Sequence, residues 1–289
     1  MPSDSWKSLY PFPPRWMTTS AGHRLHYVDT GLGHPVVMLH GNPTWSFFYR
    51  NLIRHLADTS RRAIAPDHIG CGLSDKPQNW TYRLQDHIDN LTRLIDEELK
   101  LDRIDLVLHD WGGPIGMGYA VRHSEKIRRI ILMNTAAFTM PHCPFSIRLV
   151  RTPYLGAFLV RVLNLFVRLA SRIAPATRLD REVRDGYAAP YPDYASRVAL
   201  QRFAQDVPLS PDHPSWPLFH AIEEALPRLA DKRIFLCWGG ADHIFNHDYF
   251  DRWRKIFPHA LAVSFPHAAH YLLEDDPTEI IPMIAHFLK

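Results

Sequence analysis

The sequence predicts an α/β fold in which a mostly parallel central sheet is flanked by helices and carries an inserted all-helical cap. Short apolar runs of strand length alternate with longer runs of helical spacing towards both ends of the 289-residue chain. The alternation stops between residues 136 and 214, where prolines interrupt a helical pattern that contains no strand-like run. We therefore predict a core formed by residues 1–135 and 215–289, and a cap formed by residues 136–214.

The elements of the core follow from the apolar spacing. The predicted strands are His23–Thr30, Pro35–His40, Arg62–Pro66, Ile104–Leu108, Arg129–Met133, Arg233–Trp238 and Leu261–Phe265. The predicted helices are Trp45–Asp58, Tyr82–Leu101, Gly112–His123 and Pro277–Leu288. Because ligands of such sheets bind beyond the carboxyl ends of the strands, we look for the functional residues there.

Composition excludes several classes of function. The net charge of +3 is small, and the basic residues do not alternate with aromatic residues as in a nucleic-acid groove. Three widely spaced cysteines predict neither a disulfide framework nor a zinc site, and we expect no cofactor or metal. The N-terminus has no signal-peptide pattern, and no apolar run is long enough to span a membrane, so we expect a cytoplasmic protein.

Asp110 stands at the end of an apolar strand and just before the helix that Gly112 and Gly113 open. A nucleophile held on a sharp strand-turn-helix elbow has this context, although a serine is the commoner residue there. A carboxylate at this position attacks carbon directly and holds the product as an ester. The alternative is that Asp110 only caps the following helix.

Three further groups of polar residues follow other predicted strands. His40-Gly41-Asn42-Pro43 follows the second strand, Asp242 follows the strand that ends at Trp238, and His270 follows the last strand. The chain order of nucleophile, acid and histidine is that of the α/β-hydrolase fold. We therefore predict that Asp110, Asp242 and His270 form a catalytic triad. Asp248 is the alternative acid, and His267 is the histidine that we set aside.

The motifs His40–Trp45, His109–Gly113 and His270–Asp275 resemble those of the haloalkane dehalogenase family over nearly the whole chain. The resemblance implies that Asp110 displaces a leaving group from saturated carbon. His270 would then activate the water that hydrolyses the ester, and Asp242 would orient its imidazole. The backbone N–H groups of Asn42 and Trp111 would stabilise the oxyanion, and their side chains would hold a departing halide.

Two branches of that family place their acid or their second halide donor differently. In one branch a cap tryptophan holds the halide, but no tryptophan occurs here between Trp111 and Trp216. In another branch the acid follows the strand after the elbow, where Met133–Phe138 has no carboxylate. The sequence therefore matches the third branch, with Asn42 as the second donor.

A second resemblance leads to a different reaction. The segments Asp67–Pro77 and Asn134–Phe138 resemble the β-lactone decarboxylases of long-chain olefin biosynthesis. The resemblance implies that the same aspartate acts on a strained lactone to give an alkene and carbon dioxide. Since both reactions use the same triad, both functions stay open, with the dehalogenase as the first hypothesis.

Two less favoured functions are an epoxide hydrolase and a non-catalytic binding protein. An epoxide hydrolase shares the triad and needs cap tyrosines to protonate the opening ring, for which Tyr187, Tyr191 and Tyr194 are available. Asn42 stands where that class is expected to carry an aromatic or apolar residue. A binding protein is expected to have lost one of the three triad residues, and all three are present.

The cap contains a basic stretch. Residues Cys143 to Leu179 include no acidic residue but carry arginines at positions 148, 151, 161, 168, 172 and 178. We predict that Arg161, Arg168 and Arg172 share one side of a helix, opposite Leu159, Leu163 and Phe166. The helix either presents a solvated basic face or docks on a membrane surface or a protein partner.

Overall fold

The protein is described by a computed structural model that covers residues 4–139 and 144–289. The described residues form eight strands: β1 Arg15–Thr18, β2 Arg24–Thr30, β3 His34–Leu39, β4 Arg61–Pro66, β5 Ile104–His109, β6 Ile127–Met133, β7 Arg233–Gly239 and β8 Leu261–Phe265. They form one sheet in the order β1-β2-β4-β3-β5-β6-β7-β8. The pairs β1/β2 and β2/β4 are antiparallel, and every other pair is parallel.

Helices cover both faces of this sheet, which confirms the predicted α/β class. The helices of the core are α1 Arg50–Asp58, α2 Leu84–Thr92, α3 Gly112–Ala120, α9 Trp216–Ala225, α10 His247–Ile256, α11 Leu272–Asp275 and α12 Pro277–Phe287. Between β6 and α9 the described residues form helices and no strand. These helices are α4 Phe145–Val150, α5 Pro153–Ala157, α6 Leu165–Ile173, α7 Arg181–Ala188 and α8 Val198–Asp206.

Alternating side chains of the central strands pack into two separate apolar clusters. In β5, Leu106 and Leu108 belong to the cluster with α2 and α3, whereas Val107 belongs to the cluster with α1 and α12. The period of two in a strand places successive side chains on opposite faces. Full burial of each such side chain contributes about 1.5–3 kcal/mol, so the central strands are rigid supports for the loops at their ends.

Residues 181–206, here called the inner cap segment, are tied to the core by buried polar contacts. The Tyr187 hydroxyl lies 2.5 Å from Glu274, whose carboxylate also pairs with the buried Arg50. Trp45 donates its indole N–H to the carbonyl of Gly186 at 3.0 Å. Asp206 at the other end accepts from the backbone N–H of Leu84 at 2.8 Å. The inner cap segment is therefore fixed to the core at both ends.

Residues 144–173, here called the outer cap segment, rest mainly on the inner one. Val160 and Val167 share a small buried cluster with Leu200 of α8. Arg151 donates to the carbonyls of Ala204 and Val207.

The prediction that Arg161, Arg168 and Arg172 lie on one helix was wrong. Asn164 adopts a left-handed conformation, with φ of +54°, and ends the helical run Pro153–Val162 before α6 begins. The two helices are bent by 71°. Asparagine tolerates this backbone region better than most residues, so the chain turns there at little cost. Arg161 therefore lies on a different helix from Arg168 and Arg172.

Other differences from the predicted elements are local. The sequence pattern did not reveal β1, which is a four-residue edge strand. The predicted helix Trp45–Asp58 is a short 3₁₀ turn, Ser46–Tyr49, followed by α1. The predicted helix Tyr82–Leu101 is α2 followed by a π-helical turn at Arg93–Glu98.

Cys71 and Cys237 are buried free thiols, and Cys143 lies outside the described residues. Within residues 4–139 and 144–289, no single helix has both the length and the hydropathy needed to cross a bilayer. The bent pair Pro153–Val162 and Leu165–Ile173 meets that test only when its two helices are taken together.

Candidate active site

Asp110 lies at the tip of a tight turn between β5 and α3. Its φ is +51°, a value that non-glycine residues rarely adopt. Thr135 donates its hydroxyl to the Asp110 carbonyl at 2.5 Å, and the Asp110 N–H reaches the Asn134 carbonyl at 3.3 Å. A strained backbone held by its neighbours is common at functional sites, and it costs about 1–3 kcal/mol. The turn aims the carboxylate away from the sheet and into a cavity.

Two glycines allow the backbone to approach this turn. A Cβ at Gly112 would lie 2.0 Å from the Leu39 carbonyl oxygen, so α3 can begin here only without a side chain. A Cβ at Gly41 would lie 2.1 Å from Asp110 Oδ1. The glycines therefore bring the loop after β3 into contact with the carboxylate of Asp110.

The two oxygens of Asp110 have different surroundings. Oδ1 accepts the backbone N–H groups of Asn42 at 2.8 Å and Trp111 at 2.6 Å. Oδ2 lies 3.7 Å from His270 Nε2. Burial raises the pKa of Asp110, against the opposing effects of His270 and the two N–H groups. Oδ2 is thus the oxygen available for attack, and Oδ1 would carry the negative charge if the resulting ester were attacked in turn.

Asp242 holds the imidazole of His270. Asp242 Oδ2 lies 2.8 Å from His270 Nδ1, and both side chains are buried. Burial alone would lower the pKa of His270, but the Asp242 carboxylate, with a smaller effect of Asp110, holds this pKa above its usual value. Burial would likewise raise the pKa of Asp242, but His270 keeps it below the usual range. The pair is built to stabilise a charged imidazole next to Asp110.

Asn134 is a residue of the site that the sequence reasoning did not identify. Its amide donates to Asp242 Oδ2 and to the Gly239 carbonyl, each at 3.0 Å, and its carbonyl oxygen accepts the Gly239 N–H at 2.7 Å. Asn134 follows β6 and therefore stands at the same sheet edge as Asp110 and Asp242. The position of Asn134 directly after a predicted strand could have indicated it. Only carboxylates, and not an amide, were considered at that position in the sequence.

His109 contacts the backbone of His270. His109 Nε2 lies 2.9 Å from the His270 carbonyl oxygen, and its ring is stacked 4.4 Å from that of Phe48. Burial holds the pKa of His109 well below its usual value. A neutral His109 donates from Nε2 and fixes the backbone that carries the imidazole.

One cavity of about 580 Å³ contains all five of the residues predicted for the site at its polar end. These residues are Asn42, Asp110, Trp111, Asp242 and His270. The rest of its wall is almost wholly apolar and comes largely from the outer cap segment. The lining side chains of that segment include Ile147, Leu149, Val150, Leu159, Val160, Leu165, Phe166, Leu169, Ala170 and Ile173. This volume is within the usual range for a site that encloses a small molecule.

The side chains of Asn42 and Trp111 differ in how they are engaged. One N–H of the Asn42 amide donates to the Leu200 carbonyl at 2.9 Å, which ties the turn to α8. Only the other N–H of that amide can serve an anion in the cavity. Among the described residues, the Trp111 indole N–H has no hydrogen-bond partner, and Trp111 lines the cavity. Trp111 is thus the freer of the two predicted halide donors.

The alternative residues lie elsewhere. Asp248 is exposed and takes part in the cap of α10, and His267 is exposed. None of the three cap tyrosines lines the cavity: Tyr187 contacts Glu274, Tyr191 accepts from Gly72, and Tyr194 is exposed. The cap therefore offers no tyrosine for protonating an epoxide. In the part of the chain that is described, no cluster of three His, Cys, Asp or Glu residues is placed to hold a metal ion.

The fold and this site define the class of protein. A family model described as the alpha/beta hydrolase fold matches residues 34–277, so the chain belongs to that family.

Its relatives fall into two groups. Two curated proteins named cis-3-alkyl-4-alkyloxetan-2-one decarboxylase, from Shewanella oneidensis and Xanthomonas campestris, are 42% and 38% identical to this chain. The alignments cover 97% of this chain in both cases, and 90% and 97% of the two relatives. Haloalkane dehalogenase 2 of Mycobacterium tuberculosis is 35% identical over 96% of this chain and 95% of its own. The chain is thus related to both groups that the sequence motifs indicated.

Solved structures agree on the fold. The crystal structure of haloalkane dehalogenase DbeA from Bradyrhizobium elkani superposes with a TM-score of 0.86 at 27% identity. The superposition covers 96% of this chain and 97% of the DbeA chain. The α/β-hydrolase fold that the sequence predicted is thereby confirmed.

Proposed function

We propose that this protein is an enzyme that decarboxylates cis-β-lactones carrying two alkyl chains, through an ester formed on Asp110. The observation that carries the proposal is the shape of the site: a large apolar cavity ends at an ionisable carboxylate whose second oxygen is free to attack. A lactone ring at the polar end would leave its alkyl chains against the apolar wall.

The reaction requires no water and no cofactor. Oδ2 of Asp110 attacks the saturated ring carbon that is bonded to the ring oxygen. The bond between that carbon and the oxygen breaks, and the oxygen leaves as part of a free carboxylate. The bond between that carboxylate and the neighbouring carbon then breaks. Its electron pair forms the alkene as Asp110 departs, and carbon dioxide is released.

The contacts around Asp110 suit both steps. The N–H groups of Asn42 and Trp111 hold Oδ1 and leave Oδ2 to react. A protonated His270, held by Asp242, would stabilise the carboxylate freed when the ring opens. Catalysis of this kind depends on charges that are already in position before the reaction begins.

Three observations favour this substrate class over a haloalkane. The two decarboxylase relatives are more similar to this chain, at 42% and 38%, than the mycobacterial dehalogenase at 35%. The cavity of about 580 Å³ is far larger than a short haloalkane needs. One of the two amide protons of Asn42 is already engaged by Leu200, which weakens a halide site at that residue.

Haloalkane hydrolysis is the second candidate function. Its support is Trp111, which lines the cavity and whose indole N–H has no hydrogen-bond partner among the described residues. In this reaction Oδ2 would displace the halide, neutral donors would hold the anion, and His270 would activate water to cleave the ester. The two candidates share the first step and differ in how the ester is resolved.

The deciding experiment offers the purified protein a cis-β-lactone with alkyl chains and, separately, a bromoalkane of similar length. We expect an alkene from the lactone, detected by gas chromatography, at a much higher kcat/KM than bromide release. Asp110→Ala is the control for reactions on other surfaces of the protein. Rapid bromide release without any alkene would establish the dehalogenase instead.

A further inference from the structure

The outer cap segment has two apolar sides. One side lines the cavity, and the other carries large apolar side chains that face away from the protein. Several of the outward residues do not line the cavity at all: Tyr154 is 92% exposed, Phe158 50% and Val162 52%. A contiguous run of such residues on a monomer indicates a contact surface.

Cations accompany these apolar side chains. Arg148, Arg168, Arg172 and Arg178 are exposed, and the side chain of none of them forms an ion pair with a described residue. No aspartate or glutamate occurs from residue 144 to residue 179. This surface therefore carries both exposed apolar side chains and positive charges that no neighbouring carboxylate of the described residues balances.

The cavity opens on this same surface. Leu169 and Ile173 line the cavity and are also 45% and 67% exposed. They belong to α6, which carries Arg168 and Arg172. A partner bound to this surface would therefore lie directly over the entrance to the cavity at Leu169 and Ile173.

We propose that the outer cap segment docks on the surface of an anionic lipid bilayer, so that apolar molecules can pass from the bilayer into the cavity. Apolar side chains that enter the interface, together with arginines near anionic headgroups, are the two contributions that hold a peripheral protein on a membrane. The helices Pro153–Val162 and Leu165–Ile173 are bent by 71° relative to each other, a geometry in which both can lie along the surface of a bilayer.

A second copy of the chain is a poorer occupant. A two-fold contact places the same patch on both subunits, so the exposed arginines would face one another. An anionic bilayer supplies the opposite charge and also a reservoir of apolar molecules.

The test is flotation of the purified full chain with vesicles of phosphatidylcholine alone, and with vesicles that also contain phosphatidylglycerol. We expect the protein to float only with the anionic vesicles, and binding to weaken as salt is added. Since each arginine near such a surface adds to the attraction, removing two should weaken binding roughly 30-fold. The variant is Arg168→Gln with Arg172→Gln.

The matched control is Arg103→Gln with Arg228→Gln, which removes two exposed arginines from the core and should bind as the wild type does. Tyr154→Ser tests the apolar contribution and should reduce the binding that remains at high salt. The proposal is overturned if the wild type stays unbound with anionic vesicles, or if both arginine variants weaken equally. It is also overturned if the cap variants convert a dimer into a monomer without changing vesicle binding. Because flotation needs no turnover, its failure is independent of the proposed reaction.

Discussion

The two ends of the cavity are held in different ways. At the polar end, Asp110, Asp242 and Asn134 stand at the ends of three neighbouring parallel strands, and each has directed hydrogen bonds. At the other end, the wall is formed largely by apolar side chains of the outer cap segment, and packing rather than directed hydrogen bonds positions these side chains. The chemistry and the choice of substrate should therefore respond to different mutations.

Replacing the nucleophile is the strongest test of the polar end. Asp110→Ala should reduce turnover by roughly 10⁵-fold, because no other group can form the ester. The fold should survive with equal or greater thermal stability, since burial already disfavours the charge on Asp110. Product assays and thermal unfolding of the same preparation provide the two measurements. Turnover at the wild-type rate would remove Asp110 from the reaction.

Removing the imidazole separates the two candidate reactions. In His270→Ala, hydrolysis of the ester should stop, so a bromoalkane should give one equivalent of bromide and a covalent adduct on Asp110. Alkene formation from a lactone should continue, slowed by about tenfold through loss of the nearby charge. Mass spectrometry of the intact protein after a brief reaction detects the adduct. Repeated bromide turnover by the variant would show that His270 is not the base.

The strand ends were the part of the site that the sequence could predict. Asp110, Asp242 and His270 each follow an apolar run, and parallel strands bring such positions to one edge. Asn134 was missed because its role depends on Asp242, a contact that spans 108 residues of sequence. β1 was missed because Arg15–Thr18 is too short to show a period, and pairing with β2 is what orders it.

The cap was less predictable than the core. Helical spacing gave its class, but the break at Asn164 depends on a single left-handed residue rather than on apolar spacing. From the sequence alone, the cap tyrosines could either line the cavity or pack against the core, and nothing in the pattern distinguished the two. Contacts with distant groups such as Glu274 decided the matter for Tyr187.

Asn134 should have an intermediate effect, because it acts through Asp242. Asn134→Ala should reduce activity by about 10- to 100-fold, as is common when a supporting hydrogen bond is lost. Asp242, freed of one donor, would then attract the His270 proton more strongly and raise the pKa of His270 further. A neutral His270 is needed to hydrolyse an ester, so the low-pH decline of bromide release should move to higher pH. A decline that does not move would indicate a purely structural role for Asn134.

The smallest effect is expected at the apolar end. Phe166 lines the cavity from α6 and is only partly buried, so Phe166→Ala should cost little stability. The added space should favour longer alkyl chains over shorter ones by about tenfold in kcat/KM, since one methylene group in an apolar pocket is worth about tenfold or more. Phe158→Ala is the matched control, because Phe158 lies on the same segment but faces outward and does not line the cavity. A series of lactones or bromoalkanes of increasing length measures the preference. If both variants change the chain-length preference equally, the cavity wall does not select the substrate. If only Phe166→Ala changes it, the apolar wall selects the substrate, while the residues at the strand ends carry out the chemistry.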